Sequence, residues 1–286
     1  MPPGERRLVV VADDFGFTRD VNQGILEAHT RGIVRAASLL ATGAAFRDAV
    51  ELARPQPALE IGAHLALVGL PSALDGQPLP TTVAALLRAL ARRRVSVYDE
   101  MAAQLESILA AGMRPVYLDT HKHTHVIPHV LDALLRLAEE HGIRWIRRPF
   151  DWRWKGEPML PLRNRLARAW LGLLRSSFDR RLARSHCRST DRFTGLGLTG
   201  RLDADVLVRL IRALPEGTTE LMCHPGRCGA ELRAAKTRLK ESRARELQAL
   251  TAPEVFAALH DSGVTVCGWR DLPAAGDRSR PRSRSR

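Results

Sequence analysis

Two aspartates stand side by side in "ADDFG" (Ala12 to Gly16), and three histidines alternate in "LDTHKHTH" (Leu118 to His125). Adjacent carboxylates repel, which raises a pKa unless a cation sits beside them. If the chain stays extended through Asp13 and Asp14, one side chain points to each side of the strand, so only a turn brings both to one point. Phe15 and Gly16 can supply that turn. His64, in "GAHLAL", is a polar ring in an apolar run and needs a partner. One carboxylate with two neutral imidazoles is a three-ligand set that leaves coordination positions open for water and substrate. Asp14, His64 and His121 form such a set, which suits a catalytic metal and not a structural one. Taken singly, each has a plainer reading: a helix cap for the aspartates, a satisfied core residue for His64, a turn residue for His224 in "CHPG".

These residues must be positioned by the elements around them. Short apolar, β-branched runs alternate with segments of helical period, the pattern of repeated βα units. Strands are expected at Arg6 to Ala12, Ala36 to Ala41, Leu59 to Leu67, Pro115 to His121, Ile143 to Pro149, Thr218 to His224 and Gly263 to Trp269. Helices are expected from Val21 to Gly32, Phe46 to Ala53, about Asp99 to Ala111, and Pro128 to Glu140, with a Gly- and Pro-rich loop from Val68 to Thr82. The chemically capable residues fall at strand ends: Asp13 and Asp14 after the first, His64 near the end of the third, His121 after the fourth, Arg147 after the fifth, and His224 after a later one. That placement predicts an α/β fold, a TIM-like and irregular (β/α) barrel of about seven parallel strands with its site at their carboxyl ends. Residues 1–273 are read as a single domain and 274–286 as a disordered basic tail.

Of 286 residues, 45% are hydrophobic, enough for a substantial core, and the net charge of +13 favours anionic partners without specifying a fold. Arginine is concentrated at 91–95, 163–188 and 277–286. In the second of these, Leu162, Leu166, Ala169, Trp170, Leu173 and Leu174 fall on one side of a helix, with Arg165, Arg168 and Arg175 on the other. The expectation is that this apolar side packs on the barrel; peripheral contact with an anionic membrane is the alternative. Cys187, Cys223, Cys228 and Cys267 contain no CxxC pair, so reduced thiols in the cytoplasm are expected. The apolar run from Leu8 to Ala12 is too short for a signal-peptide core or a membrane span.

The blocks "VVVADDFGFTRDVNQGILEAHTRGIV", "LEIGAHLAL", "YLDTHKHTH", "GIRWIRRP", "ELMCHPG" and "TRLKESRARELQAL", in this order, resemble the metal-dependent carbohydrate deacetylases of the YdjC type, which include chitooligosaccharide and hopanoid-biosynthesis deacetylases. The resemblance implies removal of an acetyl group from an N-acetylated amino sugar, either a chitooligosaccharide or a lipid-linked N-acetylglucosamine. It implies Asp13 as general base, Asp14, His64 and His121 as metal ligands, and Arg147 and His224 as further catalytic positions, with His224 the proton donor. One divalent ion is implied, Mg²⁺ by resemblance, while imidazole ligands suit Zn²⁺, Co²⁺ or Ni²⁺. His123 and His125, in the loop beyond the strand, are expected to orient substrate or support the ligands. Lys122 stands where the family often has another histidine, and Val11 where it often has asparagine; Lys122 is therefore expected to touch substrate. A phosphoester hydrolase on the same site is an alternative, without a glycine-rich phosphate cradle to support it. So is a basic nucleic-acid-binding protein, but a count of only two tyrosines, an arginine tail without interleaved aromatics and the absence of a recognised binding motif stand against it, and no specific nucleic-acid partner is expected. Oligomeric state is open, a homodimer included.

Overall fold

A computed structural model describes residues 4–273. The strands are β1 (Arg6–Phe15), β2 (Ala36–Leu39), β3 (Glu60–Leu65), β4 (Tyr117–Thr120), β5 (Trp145–Ile146), β6 (Arg192–Thr194), β7 (Gly217–Cys223) and β8 (Val264–Val266). Around them lie α1 (Arg19–Thr30), α2 (Phe46–Ala53), α3 (Val83–Ala91), α4 (Val97–Ala110), α5 (Pro128–Glu140), α6 (Leu162–Leu182), α7 (Ala204–Ala213), α8 (Ala230–Ala234), α9 (Glu241–Leu250) and α10 (Pro253–Asp261). The sheet order is β5-β4-β3-β2-β1-β7-β6, with β8 paired to β1 outside that path. All pairings are parallel, and two isolated parallel bridges, Trp145 to Arg188 and Asp151 to Phe193, link the β5 and β6 ends into an irregular barrel.

A parallel sheet is covered on both faces, so its strands read as continuous apolar runs. In β1 the alternation divides the two layers. Leu8, Val10 and Ala12 join the large core beneath the helices, whereas Val9 and Val11 face an inner cluster with Tyr117, Trp269 and Leu272. Tyr117 stacks on Trp269 with ring centroids 4.8 Å apart, and Trp145 lies 5.6 Å from the same indole, so aromatic rings fill the lower part of the barrel. Asp13 continues the inner row of Val9 and Val11 by the period of two. The barrel interior therefore changes from apolar to charged towards the carboxyl ends of its strands.

The seven strands expected from the sequence are all present, and β6 is an eighth, not among those expected. Helix α3 falls between the expected loop and the expected helix; Thr82 caps it by accepting a hydrogen bond from Ala85 N at 3.1 Å. The larger difference is α6. Its buried residues are Asn164, Leu171 and Phe178, while Leu162, Leu166, Ala169, Trp170 and Leu173 are exposed, so the leucine-rich side expected to pack on the barrel faces outward. Specific contacts hold the other side inward: Asn164 donates to Gly197 O at 2.8 Å, and Phe178 meets Phe150 and His125 edge-on at 5.3 and 5.9 Å. The basic tail expected at 274–286 lies outside the described residues, and the four cysteines are unpaired. Among the described residues no helix is long and apolar enough to cross a membrane.

Gly62 of β3 is where Tyr117 approaches the backbone, since a Cβ there would lie 2.2 Å from the phenol ring. Gly62→Ala is expected to displace the Tyr117–Trp269 stack and cost about 1–3 kcal/mol, as overpacking of a filled core does. Urea unfolding followed by tryptophan fluorescence checks this through a lowered midpoint.

Candidate metal centre and active site

The adjacent carboxylates are reconciled by a bulge. Ala12 pairs with Ala37 and Phe15 with Leu39, so β1 spends one residue more than β2 across Asp13 and Asp14. Asp14 takes a left-handed φ of 70°, and Phe17 N donates back to Asp14 O at 3.0 Å. Gly16, at φ 96°, completes the turn where a Cβ would meet Leu40 O at 2.9 Å. Buried Asn22 fastens it: its Oδ1 accepts from Gly16 N at 2.6 Å, while its Nδ2 donates to Ala45 O and Asp48 Oδ2. Both carboxylates thus serve one site.

Asp14, His64 and His121 converge with ligand atoms within 4.8 Å of one another. Asp14 Oδ1 lies 3.1 Å from His121 Nδ1 and 3.7 Å from His64 Nε2, and the two ring nitrogens are 3.4 Å apart. Buried Asp14 Oδ1 accepts no hydrogen bond despite these neighbours, and the two rings share only one long contact, so the three atoms face a common centre. Burial opposes a charge on Asp14, but Arg243 and His121 outweigh it and hold its carboxyl well below the usual range. Arg243 is itself buried and donates to Asp14 Oδ2, which leaves Oδ1 for a cation. Burial likewise works against a charge on His64, yet Asp119, Asp13 and Asp14 raise its pKa to about 9. The surroundings favour positive charge at this point, and the donor set fits a divalent ion.

Behind these groups lies Arg147, fully buried. Its Nη1 and Nη2 clamp Asp13 at 2.7 and 2.8 Å, its Nε donates to Glu220 Oε1 at 2.6 Å, and Nη1 also lies 2.5 Å from Asp119 Oδ2. Asp119 accepts from His64 Nδ1 at 2.6 Å and from Ser38 Oγ at 2.9 Å. With Nδ1 committed to that carboxylate, His64 turns Nε2 towards Asp14 and His121. Burial raises the Asp119 pKa, but Arg147 and His64 overcome it and bring it to about 2; on Glu220 burial prevails, with Asp119 and Asp13 adding to it, at about 7. Asp13, Asp119 and His64 also form a possible ligand group, but Arg147 already binds both carboxylates.

The three alternating histidines do not stay on one strand face. The strand ends at Thr120, and 121–126 coil into a 3₁₀ turn with Lys122 and His123 both at φ 54°. His121 alone reaches the metal group. His125 is buried: its Nε2 donates to Arg147 O at 2.9 Å, and its Nδ1 accepts from Thr120 Oγ1 at 2.7 Å. Burial lowers its pKa to about 4, which agrees with the neutral ring those partners require. His125, expected to orient substrate or support the ligands, is thus packed inside the barrel with both ring nitrogens partnered. His123 is buried against Phe193, and its Nδ1 has no partner. Exposed Lys122 reaches Thr81 O at 3.4 Å, across the loop that follows β3. His224 is half-buried with Nδ1 unpartnered, and its backbone N donates to Glu246 Oε2 at 2.6 Å. Burial, helped by Arg243, lowers its pKa to about 4.

Sequence reasoning did not single out Asp119, Arg243, Glu220 or Ser38. Asp119 carried one available signal: two residues before His121 on an inward-alternating strand, it must share the interior with His64.

A parallel α/β barrel whose strand ends gather a carboxylate and two imidazoles belongs to the class of metal-dependent barrel enzymes. The YdjC-like protein family model matches residues 7–261, and the chain belongs to that family. It is 31% identical over 280 residues to a carbohydrate deacetylase of Geobacillus stearothermophilus, covering 93% of this chain and 98% of that one. A carbohydrate deacetylase of Mus musculus is 34% identical over 302 residues, covering 93% and 94%. A solved Enterococcus faecalis structure, provisionally described as a cellobiose-phosphate cleavage protein, superposes with a TM-score of 0.70 at 24% identity and covers 94% of this chain and 100% of its own, which confirms the fold.

Asp119→Asn is expected to keep the fold but weaken divalent-metal affinity about 10–100-fold, because a neutral amide replaces the carboxylate that orients His64 and raises its basicity. Calorimetric titration of metal-free protein with Zn²⁺, alongside circular dichroism, checks both halves.

Proposed function

We propose that the chain is a metal-dependent hydrolase that removes the acetyl group from an N-acetylated amino sugar, and that Asp14, His64 and His121 hold one divalent ion. The observation that carries this reading is the convergence of those three ligands beside Asp13, a second carboxylate that Arg147 grips separately. Two imidazoles and a carboxylate suit Zn²⁺, Co²⁺ or Ni²⁺. When bound, such an ion supplies a Lewis acid for the amide carbonyl and lowers the pKa of water. Asp13 is the general base, taking a proton from the attacking water. Arg147, buried behind it, is a positioning residue that fixes the carboxylate plane. His224, neutral before turnover, passes the proton on to the sugar nitrogen as the C–N bond breaks, and ends neutral. Acetate and a free amino sugar leave. His123 and Lys122 follow His121 in the same turn, and exposed Lys122 is the one to contact substrate hydroxyls in this reading.

Metal-loaded protein is expected to release acetate from acetylated chitooligosaccharides or from an N-acetylglucosaminyl lipid, and the difference between them identifies chain length and aglycone. Asp13→Asn is expected to bind metal with unchanged stoichiometry and lose about 10²–10⁴ in turnover, the usual share of a general base. Turnover near that of the parent protein would remove Asp13 from this role, and no release from either substrate with metal bound would remove the reaction.

A further inference from the structure

Helix α6 shows its apolar side to solvent. Leu162, Leu166, Trp170 and Leu173 are 66%, 61%, 41% and 81% exposed, and Met159, just before the helix, is 88% exposed. At about 100° per residue, these four helix positions and Ala169 span an arc of about 100°, whereas the buried Asn164, Leu171 and Phe178 lie on the opposite side. Such a continuous row of large exposed apolar side chains marks an interaction surface. Arg163 and Arg165 border the row on its two sides, and Arg180 stands in line with it one turn and more beyond Leu173. None of the three enters an ion pair among the described residues, and the helix's one acidic residue, Asp179, is taken by Arg148 at 2.7 Å.

We propose that this outer face of α6 docks on an anionic membrane surface, its leucines and Trp170 seated among the acyl chains and its arginines on the headgroups. Charge complementarity selects that occupant. A second copy of the chain would set Arg163, Arg165 and Arg180 against their own equivalents, on a protein of net charge +13. Past the helix start, Arg163 lines a cleft of about 460 Å³ with Arg201, Arg238 and Arg245 against one acidic residue, Glu241, so the border stays positive there. An interfacial helix has this combination of a narrow apolar face and an arginine rim, and it lies in the surface without crossing it. The inner face of the same helix touches His125 through Phe178, so docking would occur on the element that backs the histidine loop. The docking surface stands independently of the reaction proposed above.

Full-length protein is expected to float with phosphatidylcholine vesicles that contain phosphatidylglycerol and not with phosphatidylcholine alone, less so as salt is raised. Leu166→Ser/Leu173→Ser leaves every arginine in place, so the predicted loss of more than about tenfold in partitioning reports the apolar contact itself. Trp170→Phe is expected to remove the fluorescence blue shift that vesicles produce. Three results would overturn the docking surface: no flotation of the parent protein, unchanged flotation of the serine variant, or a dimer in vesicle-free solution that the serine variant dissociates. Acetate release from a soluble acetylated oligosaccharide is expected to be the same in the serine variant and the parent. Its absence from the parent would count against the reaction and leave the vesicle result standing.

Discussion

Arg147 holds a full positive charge where no water reaches it, and the arrangement above it depends on how that charge is met. An unpaired guanidinium at this depth would cost several kcal/mol, so the carboxylates around it are a condition of folding as well as of chemistry. Asp13 takes two of its N–H groups in a planar clamp, Asp119 and Glu220 take one each, and Asp119 passes the constraint on to His64. A single cation thus orients both the proposed base, Asp13, and, at one remove, His64, a proposed metal ligand. Around the same arginine, burial together with Asp119 and Asp13 pushes Glu220 up to about 7.

The barrel supplies the remaining order. Parallel strands send alternate residues inward at matched heights, so Val9, Val11 and Asp13 form one inner column, and Tyr117 and Asp119 another. The lower layer is aromatic and closes the barrel below. Above it, polar groups have only one another and the site's contents as partners. Asp14 escapes the alternation through the bulge, and the second arginine, Arg243, meets it from outside the strands. The paired aspartates are therefore met by separate arginines.

Much of this was legible in the sequence, because strand ends announce themselves by polar residues after apolar runs. The convergence of Asp14, His64 and His121, the seven expected strands and the barrel class followed from that signal. The bulge did not, since nothing in "ADDFG" distinguishes a strand with an extra residue from one that turns one position earlier. Asp119 looked like any polar residue beside a turn, and its role exists only because β3 lies alongside β4. His123 and His125 shared an alternation that the left-handed φ values of Lys122 and His123 break. The facing of α6 was misread for a related reason: periodicity shows that a helix has two sides but not which side the rest of the chain offers to cover.

The central claim is that a cation belongs between Asp14, His64 and His121, with the histidine Nδ1–Asp119 contact fixing one ligand. Anomalous diffraction at the cobalt edge from crystals of Co²⁺-loaded protein tests it most directly. The account predicts one strong peak at about 2.0–2.2 Å from Asp14 Oδ1, His64 Nε2 and His121 Nδ1, as borderline divalent ions bind such donors. A peak held by Cys223 or Cys228, or none at the three converging atoms, would contradict it.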